Sequence, residues 1–63
     1  MGNRIKQLRE EAGLTRTTVA DILAISEATL KAYENGQRML RLDVGYRLLQ
    51  IFGISFEELI KNL

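Results

Sequence analysis

At 63 residues, with no cysteine and no histidine, the chain has the length of one small domain whose core forms without disulfides and without the commonest metal ligands. Its 46% hydrophobic and 27% charged residues exclude a disordered chain, and its longest apolar runs, such as residues 22–25, are too short to cross a bilayer, so a cytoplasmic protein with no membrane partner is expected. The net charge of +1 announces no polyanionic partner: residues 1–14 and 15–41 each sum to +1 and residues 42–63 to −1, so any basic surface must be local.

The first predicted helix lies in "NRIKQLREEAG". Ile5, Leu8 and Ala12 recur at helical spacing, Arg4, Lys6, Gln7, Arg9, Glu10 and Glu11 occupy the other faces, Asn3 is the expected N-cap and Gly13 the closing residue. A second helix is predicted from about Arg16 to Leu23, capped by Thr15, with Val19, Ala20, Ile22 and Leu23 as its inner stripe. After only Ala24 and Ile25, Ser26 caps a third helix whose inner side carries Leu30 and Tyr33 and which Asn35-Gly36 ends.

The fourth helix, "LDVGYRLLQIFG", places Leu42, Tyr46, Leu49 and Phe52 on one face, widened by Val44, Leu48 and Ile51, and is expected to be the most buried element. In "ISFEELIKNL", Ser55 and Glu58 form a capping box and Ile54 and Leu59 a hydrophobic staple, so a fifth helix is predicted from there to the last residue. No alternating strand pattern, repeat or linker is present. The expected fold is an all-α, compact five-helix bundle, one domain over residues 1–63.

One segment is more specific than the rest. In "RTTVADILAISEATLKAYEN", residues 16–35, two short helices meet with a small residue, Ala20, where they must interlock and apolar Val19, Ile25, Leu30 and Tyr33 around it. A bulky side chain at Ala20 would force the helices apart, which is the steric demand of a helix-turn-helix. Together with "IKQLREEAGLT" before it, "YENGQR" after it and "FGISFEELI" near the end, the chain resembles the lambda-repressor-like family, also called XRE or Cro/CI-type, over essentially its whole length.

The resemblance implies a sequence-specific, double-stranded-DNA-binding transcriptional regulator, a repressor that binds a two-fold operator as a homodimer. It also implies that the third helix enters the major groove, while the start of the second helix and the loop after the third touch phosphates. Several positions depart from the family pattern. Ala24 replaces the usual turn glycine, Arg16 the usual glutamine, and Gly45 a large apolar residue; "RMLRLD" has neither the usual proline nor a small hydroxyl cap. Gly45 is expected to mark a close backbone approach, against another helix.

On the third helix, the side opposite Leu30 and Tyr33 shows Glu27, Ala28, Lys31 and Ala32, with Thr29 at the edge; these are the base-reading candidates. Glu27 also suits the helix N-terminus and an i,i+4 pair with Lys31, and Glu34 is read as structural or solvated. Arg16, Thr17, Asn35, Gln37, Arg38 and Arg41 are the phosphate-binding candidates, and Arg4 is the first-helix residue best placed to reach the DNA backbone. Met39, Leu40, Ile54 and Phe56 are the dimer-interface candidates.

An enzyme is not expected, because the carboxylates fall on separate helix faces and no phosphate-cradling loop follows a strand. Neither a metal nor a cofactor is expected. The alternative reading is a protein-interaction module or antitoxin-type partner-binding regulator on the same fold, and an additional protein partner or a further C-terminal domain is compatible with the sequence.

Overall fold

Side-chain caps and left-handed residues set the helix boundaries. The computed structural model describes residues 2–59, which form α1 (Gly2–Glu11), α2 (Arg16–Leu23), α3 (Glu27–Glu34), α4 (Leu42–Phe52) and α5 (Phe56–Leu59). Thr15 Oγ1 accepts the Thr18 N–H at 3.1 Å, Ser26 Oγ that of Thr29 at 3.0 Å, and Ser55 Oγ that of Glu58 at 3.2 Å, so α2, α3 and α5 start where their caps predict. α1 instead begins at Gly2, which leaves Asn3 inside the first turn and not at the cap. The expected run of the fifth helix beyond Leu59 lies outside the described residues.

The turn between α2 and α3 is closed by Ala24 at φ 59° and ψ 40°, with its N–H donating to Asp21 and the Ile25 N–H to the Ala20 carbonyl. A left-handed alanine costs about 1–2 kcal/mol. The turn therefore keeps the geometry a glycine would give it and carries the strain, which its two hydrogen bonds offset. α4 has no side-chain cap from Arg41; Asp43 Oδ1 takes the Val44 N–H at 2.9 Å in its place.

α3 packs on α1 and α2, and α2 on α4. Ile5, Val19, Ala20, Leu23, Leu30, Leu48 and Leu59 are buried where they meet. Ala20 lies in this core, as the interlocking argument requires. Other expectations fail. Ala12 is exposed beyond the end of α1, and its place on the inner stripe is taken by Arg9, which is buried. Ile22 is 51% exposed, one step around α2 from Leu23 and away from the core. On α4, Val44 and Leu48 face inward, whereas Leu42 and Tyr46 are exposed, so α4 is not the most buried helix: its apolar face is wider than the core it meets. Arg4, for its part, pairs its guanidinium with the Glu58 carboxylate and ties α1 to α5. That same pairing removes Glu58 from the return half of the Ser55 capping box.

Gly45 is buried, and a Cβ there would meet Leu40 Cδ2 at 3.4 Å. The close neighbour is thus the side chain of the preceding loop and not another helix. No helix among the described residues is long and apolar enough to cross a membrane.

Candidate nucleic-acid interface

Leu30 and Tyr33 anchor α3 to the core, and the 100° advance per residue turns Glu27, Ala28 and Lys31 outward; all three are exposed, with Thr29 and Ala32 half-buried beside them. Thr29 accepts the Ser26 hydroxyl at 2.8 Å and so belongs partly to the cap of its own helix, leaving its methyl for outside contact. Glu27 does not pair with Lys31. Its Oε1 accepts the Thr17 hydroxyl at 2.9 Å, a bond from α2 to α3 that leaves Oε2 without a donor among the described residues. Thr17, expected on phosphate, and Glu27, expected on a base, are therefore held together. A shallow cleft of about 330 Å³ lies beside them, between the outer sides of α2 and α3, and is lined by Asp21 and Ile22 among others.

The loop after α3 is shaped by backbone bonds. The Gly36 N–H donates to Tyr33 and that of Gln37 to Ala32, with Gly36 at φ 72°, a left-handed value that brings the chain back over the helix end. Asn35, Gln37, Arg38 and Arg41 all lie exposed on or just beyond this turn. The Arg38 guanidinium sits 5.9 Å from the centre of the Tyr33 ring, a cation–π contact that steadies it without consuming its charge. Arg41 pairs with Asp43 at 3.4 Å; both are largely exposed, so the pair contributes little and exchanges readily for another anion. The Tyr33 hydroxyl is buried and has no hydrogen-bond partner among the described residues.

Glu34 is the residue whose role the sequence reading left open, and the structure buries it completely. Its carboxylate accepts Arg9 Nε at 2.7 Å, and Arg16 from α2 reaches the same carboxylate at 3.1 Å. This hydrogen bond to Glu34, more than any other influence, raises the Arg9 pKa; burial opposes it, and the carboxylate's charge adds to it. The signal was in the sequence. Arg9 follows Ile5 and Leu8 at the i+4 position, and Glu34 follows Leu30 and Tyr33 in the same way, so each inner stripe carries one charge, of opposite sign.

The arrangement removes one acid from the outer face, while Glu27 and Asp21 stay on the surface. The basic residues near this face in the chain are Arg16 at the start of α2, Lys31 on the exposed side of α3, and Arg38 and Arg41 in the loop that follows. Lys31 and Arg38 have no carboxylate partner among the described residues.

Next to this loop the surface changes character. Met39 is 90%, Leu42 87%, Tyr46 62% and Phe56 56% exposed, and with Leu40, Gly45, Leu49 and Leu59 they line an apolar groove of about 390 Å³. Three of the four dimer-interface candidates, Met39, Leu40 and Phe56, meet there; Ile54 is half-buried against the core and does not line the groove. Leu42 and Tyr46 enlarge it beyond what the sequence suggested.

Known proteins are similar to this chain in sequence and in fold. A family model described as helix-turn-helix matches residues 5–59. A protein of Pyrococcus horikoshii, named among the HTH-type transcriptional regulatory proteins, is 42% identical over 62 residues, 98% of this chain but 19% of its own length. Its counterpart in Pyrococcus furiosus is 38% identical over the same shares. The HTH-type transcriptional regulator RamB of Mycobacterium tuberculosis is 35% identical over 55 residues, 87% of this chain and 12% of the relative. Thus the chain spans a fifth or less of these relatives. Among solved structures, the restriction-modification controller protein C.AhdI from Aeromonas hydrophila superposes with a TM-score of 0.84 at 29% identity, covering 94% of this chain and 89% of that one.

Proposed function

Since the chain belongs to the lambda-repressor-like helix-turn-helix family, a family of DNA-binding transcription regulators, we propose that it binds duplex DNA with α3 in the major groove and represses transcription by occupying a two-fold site. The observation that supports this most is the exposure of Glu27, Ala28 and Lys31 on the side of α3 turned away from the buried Leu30 and Tyr33. In this reading Glu27 Oε2 accepts from a cytosine N4, Ala28 and the Thr29 methyl touch thymine methyls, Lys31 donates to guanine, and Ala32 lets the groove close on the helix. Arg16, Thr17, Asn35, Gln37, Arg38 and Arg41 take the phosphates and supply most of the affinity. No catalytic step or cofactor enters this mechanism.

A second copy of the chain occupies the apolar groove. One domain offers only a few base contacts, so a second half-site about one helical turn away is what gives useful specificity, and the groove adjoins the phosphate-binding loop through Met39. The chain is a small part of its long relatives and nearly matches the short controller protein in extent, so the domain serves as a DNA-addressing unit in either setting. Its location is cytoplasmic, with the DNA.

Selection of bound sequences from a random duplex pool tests the reading. Recovery of a two-fold symmetric consensus, bound with an affinity that falls steeply as salt rises, supports it. Absence of duplex binding at low salt overturns it in favour of a protein-interaction module.

A further inference from the structure

The guanidinium of Arg16 stands between two surroundings. Its Nε and Nη2 donate to Glu34 Oε1 at 3.2 and 3.1 Å, and its Nη1 has no hydrogen-bond partner among the described residues. Glu34 is fixed from the opposite side, where Arg9 Nε donates to Oε2 at 2.7 Å and Arg9 Nη1 donates to the Leu14 carbonyl at 3.1 Å. An arginine carries five N–H donors in one plane, so those bound to Glu34 leave the Nη1–Nη2 edge for another acceptor. That edge is a fork whose spacing matches two oxygens of a phosphate. The Glu34 side chain is wholly buried and that of Arg16 is 33% exposed, so the arginine is anchored inside and offered outside. Arg9 already balances Glu34, which leaves the charge of Arg16 uncompensated.

We propose that Glu34 is a positioning residue for DNA binding: its buried carboxylate grips Arg16 by Nε and Nη2 and so aims the Nη1–Nη2 edge at a backbone phosphate. This rests on the DNA reading above and deepens it. Lysine supplies the same charge from a single donor atom, so at position 16 it cannot hold Glu34 and fork a phosphate together.

The test measures binding to a mixed-sequence duplex of about two helical turns over a salt series. It compares the wild type with Arg16→Lys, Arg16→Ala, Glu34→Gln and the combined Arg16→Ala and Glu34→Gln variant, each checked by circular dichroism for folding at the assay temperature. Arg16→Lys is expected to fold like the wild type and bind about tenfold more weakly with the fork lost, whereas Arg16→Ala, which removes the charge as well, also loses about 0.9 from the salt slope, one phosphate's worth. Glu34→Gln weakens binding when Arg16 is present and adds no further loss when residue 16 is alanine, because it acts through that side chain. An Arg16→Lys chain that binds like the wild type, or a Glu34→Gln loss equal in both backgrounds, overturns the positioning role and leaves DNA binding standing. If Glu34→Gln does not fold, Arg16→Lys decides alone, since that change lies at the surface end of the cluster. Failure of the wild type to bind the duplex at low salt overturns the DNA reading itself.

Discussion

Where α1, α2 and α3 meet, charge is buried; where the 37–41 loop meets α4 and α5, large apolar side chains are exposed. Arg9 and Glu34 lie within the core while Met39 and Leu42 lie almost wholly outside it. The buried pair of the first region is closed, since Arg9 and Glu34 satisfy one another and only the half-exposed Arg16 at its edge still offers donors. The second is open, since water is a poor neighbour for that much hydrocarbon, and a covering surface stabilises it. Buried charge and exposed apolar surface thus have opposite consequences, one for the fold and one for association.

The sharpest way to break the comparison is at Glu34. Glu34→Ala leaves Arg9 buried without its anion, a loss of about 3–5 kcal/mol. A chain of this size has on the order of 3–9 kcal/mol in all, at ~0.05–0.15 kcal/mol per residue, so chemical denaturation is expected to find the variant largely unfolded. Replacing both partners, Arg9→Met with Glu34→Leu, is expected to restore most of the loss because no charge is stranded.

In the open region, Leu42→Glu is expected to leave monomer unfolding within about 0.5 kcal/mol of the wild type. In sedimentation it weakens self-association by tenfold or more, about 1.4 kcal/mol. A wild-type chain that is monomeric both free and on a symmetric site would sink the seam.

Between these regions lies the strained turn. Ala24→Gly relieves the left-handed alanine and gives back part of the gain as unfolded-state entropy, so thermal unfolding should show a net stabilisation of about 0.5–1 kcal/mol. The smallest effect is expected at Tyr33→Phe. Removing a buried hydroxyl that has no partner among the described residues is neutral or stabilises by under about 1 kcal/mol, and Arg38 keeps an aromatic face to rest on.

The helices were legible in the sequence because their signals are local. Thr15, Ser26 and Ser55 each act on an N–H three residues on, and Gly13 and Gly36 act on the turn they occupy. The outward face of α3 was legible for the same reason, since Leu30 and Tyr33 fix its rotation. Arg9 and Glu34 were harder to read, because a lone charge at the margin of an inner stripe is ordinarily solvated, and only α1 and α3 placed side by side turn the two into a buried pair. The bond from Thr17 to Glu27 likewise exists only between helices. On α4 the difficulty was excess: Val44 with Leu48 and Leu42 with Tyr46 are equally good apolar stripes, and only the position of its neighbours decides which one is covered.

The loop that follows α3 carries Arg38 toward the proposed phosphates and Met39 toward the proposed seam, adjacent in the chain and directed at different neighbours. Conformational freedom lost by this loop on either contact is not lost again on the other, so each contact favours the other reciprocally. With both contacts made as proposed, site occupancy would climb more steeply than in proportion to protein concentration. A modest change in how much protein is present becomes a threshold in how much DNA is covered.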